Sequence, residues 1–160
     1  MKIRKQNNQG FTVIELLVVI IVLCILSMFV ALAYSGVQAK NRNVERHKDI
    51  DGLKSQLEAY YAESNIYPTL SDINNPTWRE QNLKKVTGGT VEDPSWKDTV
   101  TACVTGGKAV LANAPGAKCY SYQVTGSDGN SCNNTTNICA HYTLTATLEG
   151  GGTYVKSSLN

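Results

Sequence analysis

The sequence predicts an α+β fold, in which a long N-terminal helix, membrane-spanning in its first half and amphipathic in its second, packs on a small C-terminal head of antiparallel β-strands. Three observations carry this. Between Phe11 and Ala33 only Thr12, Glu15 and Ser27 interrupt an apolar run. No proline occurs from Phe11 to Tyr67, and Val37, Val44, Ile50, Leu53, Leu57, Tyr60 and Tyr61 recur at helical spacing. From Gly88 onward the chain is rich in Gly, Asn, Ser and Thr, with short alternating runs between the turn residues.

These patterns divide the 160 residues into a leader (1–10), a transmembrane half-helix (11–35), an amphipathic half-helix (36–66) and a globular head (67–160). The run from Phe11 to Ala33, at about 1.5 Å per residue, makes about 34 Å of helix, enough to cross a hydrocarbon core of about 30 Å. All the charged residues before it, Lys2, Arg4 and Lys5, are basic, which predicts a cytoplasmic N-terminus and an exported remainder. A secretory signal would have a shorter apolar core and a small-residue cleavage site beyond it. Here the conspicuous small residue, Gly10, precedes the run, so a cut at Gly10 leaves the helix on the product. Glu15 is the anomaly, because a carboxylate inside an apolar spanning helix is costly without a partner. Cleavage after Gly10 creates such a partner, a new amine on Phe11 within one helical turn.

The helix is expected to continue to about Glu63, with Gly52 a soft spot. Pro68 marks the boundary, since it biases Tyr67 away from helical geometry. Asn75-Pro76 reads as an N-cap followed by proline at the first helical position, opening a short helix through about Lys85. Strands are expected at Val100–Val104, Cys119–Val124, Ala140–Leu148 and Tyr154–Lys156. Within the third, Tyr142, Leu144, Ala146 and Leu148 share a face and should pack on the helix. Gly150-Gly151-Gly152 turns the chain into the last strand, and 126–137 is a loop.

Charge and chemistry exclude several classes. Formal charge is +2, and removing Lys2, Arg4 and Lys5 from the fifteen basic residues leaves twelve against thirteen acidic, a balance of −1. That gives no global attraction for nucleic acid. Trp78, Trp96 and the Tyr120/Tyr122 pair read as core aromatics before they read as base-stacking platforms, so DNA is not expected as a partner. His47 and His141 are the two histidines, neither beside a nucleophile or ligand pattern. His47, among Arg46, Lys48 and Asp49, reads as a solvated helix residue. No catalytic residue, cofactor or metal site is therefore expected. The loop Gly126-Ser127-Asp128-Gly129-Asn130 has a calcium-like look but lacks regular ligand spacing, and reads as a plain turn.

Of five cysteines, Cys24 lies in the apolar run, as a free thiol, and Cys103, Cys119, Cys132 and Cys139 lie in the head. An even outer count suits disulfides in an exported domain, and no pair has the CxxC spacing of a zinc knuckle. Of the three connectivities the sequential one, Cys103 to Cys119 and Cys132 to Cys139, is expected because each bridge closes a short loop.

The run Gly10-Phe11-Thr12-Val13-Ile14-Glu15-Leu16-Leu17, behind a basic leader and ahead of an uninterrupted apolar helix, resembles the prepilin cleavage and methylation motif of type IV pilins, type II secretion pseudopilins and competence pseudopilins. Tyr67-Pro68 after the long helix is a further, weaker likeness. The resemblance implies a prepilin peptidase that cuts between Gly10 and Phe11 and methylates the Phe11 amine. It also implies a polytopic platform protein, a cytoplasmic assembly ATPase and a helical homopolymer at the cell surface. In that polymer Glu15 would neutralise the Phe11 amine of a neighbouring subunit. Before assembly the chain would be a single-pass membrane protein. The head of some secretion pseudopilins binds calcium. Many major pilins carry glycine and proline inside the apolar helix, where this chain has Cys24 and Leu32, so melting of the helix on assembly does not follow. The expected function is that of a structural filament subunit for adhesion, motility or uptake. The alternatives are a type II secretion or competence pseudopilin and, from another class, a membrane-tethered binding or sensor protein.

Overall fold

A computed structural model describes residues 10–84, 86, 88–98 and 103–159. Helix α1 covers Val13–Ser64, α2 Leu70–Asn74 and α3 Pro76–Asn82; the strands are β1 Val104–Thr105, β2 Lys108–Ala109, β3 Tyr120–Gly126, β4 Cys139–Thr147 and β5 Thr153–Ser157. The chain divides into two compact units, Met1–Gln38 and Ala39–Asn160.

In the first unit the described apolar side chains of α1 are exposed from Val13 through Val30, and this stretch is long and apolar enough to cross a membrane. Helical geometry continues without a break past Cys24 and Leu32. Ser27 donates its hydroxyl to the Leu23 carbonyl at 2.7 Å, so its polar group is satisfied within the helix.

In the second unit Ile50, Leu53 and Leu57 form a fully buried stripe on α1, spaced three and four residues apart. The stripe joins Tyr120, Tyr122, Tyr142, Leu144 and Ala146 of the sheet in one core. The helix runs through Gly52 and stops where Asn65 takes φ 57°, donating its N–H to the Tyr61 carbonyl at 2.7 Å. This left-handed cap ends the helix before Pro68 is reached. Pro68 serves elsewhere, its carbonyl accepting the Tyr122 hydroxyl at 2.7 Å.

Helix α2 has no counterpart in the sequence-based expectation. Thr69 and Asp72 form a capping box that starts it directly after the proline. Helix α3 opens with the Asn75 cap and Pro76 as expected, but ends at Asn82, with Leu83 as its C-cap, short of Lys85, which lies outside the described residues. Leu83 is buried in the core, and leaving the helix there lets the chain place it.

β3, β4 and β5 form an antiparallel sheet in that order, with Tyr122 opposite Leu144 and Thr145 opposite Val155. Of the expected strand at Val100–Val104, residues 100–102 lie outside the described residues, and Cys103 is a turn residue. The strand found is Val104–Thr105, paired with Lys108–Ala109. The intervening Gly106-Gly107, at φ 59° and 75°, is a hairpin signal that the reading of the sequence passed over. Tyr142, Leu144 and Ala146 are buried together, whereas Leu148 lies beyond β4, its N–H bonding the Gly152 carbonyl at 3.0 Å to close the glycine turn.

Candidate functional site

The residues of the N-terminal motif take two conformations. Gly10, Phe11 and Thr12 precede the helix, and Phe11 is 79% exposed. Thr12 begins the ladder, its carbonyl accepting the Leu16 N–H at 3.3 Å. The Glu15 N–H donates to Thr12 Oγ1 and the Thr12 N–H donates to Glu15 Oε2, both at 3.3 Å, a reciprocal cap on two of the otherwise unbonded first-turn groups. The Gly10–Phe11 bond therefore lies in non-helical backbone just outside the cap. Among the described residues a Cβ built on Gly10 meets no heavy atom within 4 Å, so none of them requires glycine there. Lys2, Arg4 and Lys5 lie outside the described residues. Cys24 is an exposed free thiol.

On the head, disulfides join Cys103 to Cys119 and Cys132 to Cys139. The first bridge ties the β1–β2 hairpin to the start of β3, and the second ties the 126–137 loop to the start of β4. Asp128 in that loop accepts hydrogen bonds from Asn130 N–H and Nδ2 and from Asn137 Nδ2, and these donors hold its carboxyl down at about 2. Among the described residues no group of three His, Cys, Asp or Glu side chains is arranged to hold a metal.

The aromatic residues are used internally. Tyr120 and Tyr122 are buried, Trp78 packs edge-on against Tyr60, and Lys97 lies over Trp96 at 5.8 Å. His47 is not the solvated residue its charged neighbours suggest. It stacks on Tyr154 at 4.0 Å between ring centroids, because β5 lies over that face of α1. His141 is half-buried on β4, opposite Thr125.

Three carboxylates of α1 each receive a tyrosine hydroxyl from a different strand. Asp49 accepts from Tyr120 of β3 at 2.8 Å, Glu58 from Tyr142 of β4 at 2.8 Å, and Asp51 from Tyr154 of β5 at 3.0 Å. Glu58 also accepts from Tyr67 at 3.0 Å. Burial first, and the acidic partners after it, push the Tyr120 and Tyr142 hydroxyls up, so both remain donors. Nearer the N-terminal end of this unit, Arg46 binds Asp93 at 2.7 and 2.9 Å and Glu149 at 3.0 Å. Arg42 forks onto Glu149 at 2.6 and 2.5 Å. Asn43 brackets the same residue through its backbone, donating to the Glu149 carbonyl and accepting its N–H. None of these polar pegs was identified from the sequence. A signal was present for Arg46, which sits four residues before Ile50 on the buried stripe.

Comparison with known proteins places the N-terminal segment. The prokaryotic N-terminal methylation motif matches residues 5–31. The type II secretion system core protein G of Aeromonas hydrophila is 33% identical over 79 residues, 46% of this chain and 55% of that one. The protein of the same name from Vibrio cholerae is 37% identical over 68 residues, 42% of this chain and 45% of that one. That of Klebsiella michiganensis is 35% identical over 66 residues, 41% and 46% respectively. The chain thus spans about half the length of the curated relatives it matches. No solved structure matches the chain at a significant level. The methylation motif over the N-terminal segment and the likeness to type II secretion core protein G over less than half of this chain support the type IV pilin and pseudopilin family.

Proposed function

We propose that this chain is the structural subunit of a type IV pilus-like filament, matured by a prepilin peptidase and assembled through its N-terminal helix. The observation that carries the reading is the methylation motif over residues 5–31, set where backbone outside the helix meets the spanning segment. In this scheme the peptidase takes the Gly10–Phe11 bond as an exposed, non-helical substrate and methylates the released Phe11 amine. Residues 1–10 leave as the leader, 11–35 anchor the product, 36–66 carry the head, and 67–160 complete it. A platform protein and an assembly ATPase supply the extraction work, and the head emerges on the exported side. The names of the relatives favour the type II secretion branch, in which the filament is a pseudopilus, over an adhesive pilus.

Glu15 has two partners in succession. In the membrane its carboxylate caps the first turn of its own helix through Thr12, which lowers the cost of a charge near the lipid interface. In a filament core it pairs with the Phe11 amine of a neighbour and so sets axial register. Removing one member of a buried pair typically costs about 3–5 kcal/mol, more than a sliding apolar contact restores. Glu15→Val is therefore expected to reach the membrane at parental levels and to yield few sheared surface filaments. Normal filament yield from that variant would rule out the pairing role.

A further inference from the structure

Arg79 and Arg46 present the same physical problem with different solutions. Both residues are buried, at 6% and 1% exposure. Burying a cation is costly unless an anion meets it. The fold supplies Arg46 with Asp93 and Glu149. Among the described residues Arg79 has a neutral acceptor, the Ile73 carbonyl, 2.7 Å from Nη1. Among the described residues no carboxylate forms an ion pair with it. Arg79 lines a cavity of about 710 Å³ beside α3, within the size range of ligand sites.

We infer that this cavity is a binding site for a single carboxylate, with Arg79 as the anchoring cation. The planar fork of a guanidinium matches a carboxylate in two parallel hydrogen bonds, and a site shielded from water strengthens them. Lys84 and Lys108 line the same cavity and add attraction at its exposed rim. Glu80 and Glu92 line it as well. Among the described lining residues, Arg79, Lys84 and Lys108 outnumber Glu80 and Glu92 by one formal charge, which one monoanion neutralises and a multiply charged anion overshoots. Leu83, Val86 and Val110 give the wall an apolar part for the carbon skeleton behind the carboxylate. Burial lowers the Arg79 pKa, with Glu80 and Glu92 partly restoring it, in keeping with a cation that lacks a full counter-charge.

The test uses the full chain, ¹⁵N-labelled in detergent micelles, and follows the Arg79 Nε–H resonance at constant ionic strength. Sodium acetate should shift it saturably, and sodium chloride should not. Arg79→Lys keeps the charge but loses the fork, and should bind acetate about tenfold more weakly. Lys84→Gln and Lys108→Gln alter exposed residues that the fold does not need, and each should weaken binding by about two- to fivefold, the effect of an exposed ion pair. N-acetyl-aspartate amide identifies the source: tighter binding than acetate assigns a carboxylate carried on a peptide, and equal binding assigns a free acid. No saturable shift, an equal response to chloride, or tighter binding of inorganic phosphate would overturn the inference.

Discussion

The Arg46 guanidinium of α1 meets the Asp93 carboxylate in two parallel hydrogen bonds of 2.7 and 2.9 Å, and both residues are 1% exposed. The pair fastens the segment between α3 and β1 to the first turns of the helix in the second unit. Asp93 also accepts the Ser95 N–H at 2.8 Å, so the carboxylate shapes its own loop as well.

Asp93→Ala leaves Arg46 buried with only Glu149 and neutral groups around it. The expected loss is about 3–5 kcal/mol, the cost of breaking a buried pair on one side. Denaturant unfolding of the full chain in detergent, followed by tryptophan fluorescence, measures it. Replacing Arg46 and Asp93 together with leucine and alanine should cost less than Asp93→Ala alone, because no orphan charge remains.

The pH profile should have an acid limb and a shallow decline on its neutral side. Hydrogen bonding to Arg42 is the chief cause that lowers the Glu149 carboxyl from 4.5 to about 2. Its contribution is therefore present above about pH 4.5 and lost as pH falls toward 2. Burial raises the Asp49 carboxyl from 3.8 to about 6, a shift of opposite sign. Between those values the folded state binds more protons than the unfolded one, so stability falls as pH rises from about 4 to 6. Asp49→Asn keeps an acceptor for the Tyr120 hydroxyl and should abolish the decline, while Glu149→Gln should flatten the acid limb. Thermal midpoints taken from pH 2 to 8 for the two variants check both signs.

The two bridges should differ in worth. They span sequence separations of 16 and 7 residues. Each is expected to contribute about 2–4 kcal/mol, with Cys103–Cys119 ahead by about 0.7 kcal/mol because it closes the longer loop. Paired Cys→Ser variants in denaturant give the difference. Non-reducing peptide mapping of the native protein should return the two sequential linkages, and a Cys103–Cys139 peptide would contradict them.

Legibility of this fold in the sequence followed the strength of local signals. The apolar run, the i, i+3, i+4 stripe through Ile50, Leu53 and Leu57, the Asn75-Pro76 start and the alternation in β4 each rest on residues that dictate their own local structure. Helix α2 was missed because Pro68 was read only as a stop, although Thr69 and Asp72 lie at capping-box spacing just after it. The hairpin at Gly106-Gly107 was missed because its strands are two residues long and carry no visible alternation. The tyrosine–carboxylate pegs and the Arg46 clamp were illegible for a different reason. Apart from Tyr67–Glu58, their partners are separated by 47 to 107 residues, and only the tertiary fold brings them together. The N-terminal methylation motif was readable because its residues lie together in one short run of sequence.

Gly10→Val should block maturation without disturbing the chain itself, since open space surrounds the position where a Cβ would lie. Any effect then arises in the peptidase's grip on the bond. Leader-containing precursor should accumulate in membranes, and immunoblots of membrane fractions should show it at parental abundance. A variant trimmed and assembled like the parent would contradict this.

The most direct measurement is the N-terminal residue and intact mass of the chain purified from the membranes of its own cells. The account predicts that the first residue is Phe11, that its amine carries a methyl group, and that the mass is lower by residues 1–10. A chain that still begins at Met1, with Gly10 and Phe11 joined, would contradict maturation as a filament subunit and leave a membrane-tethered protein in its place.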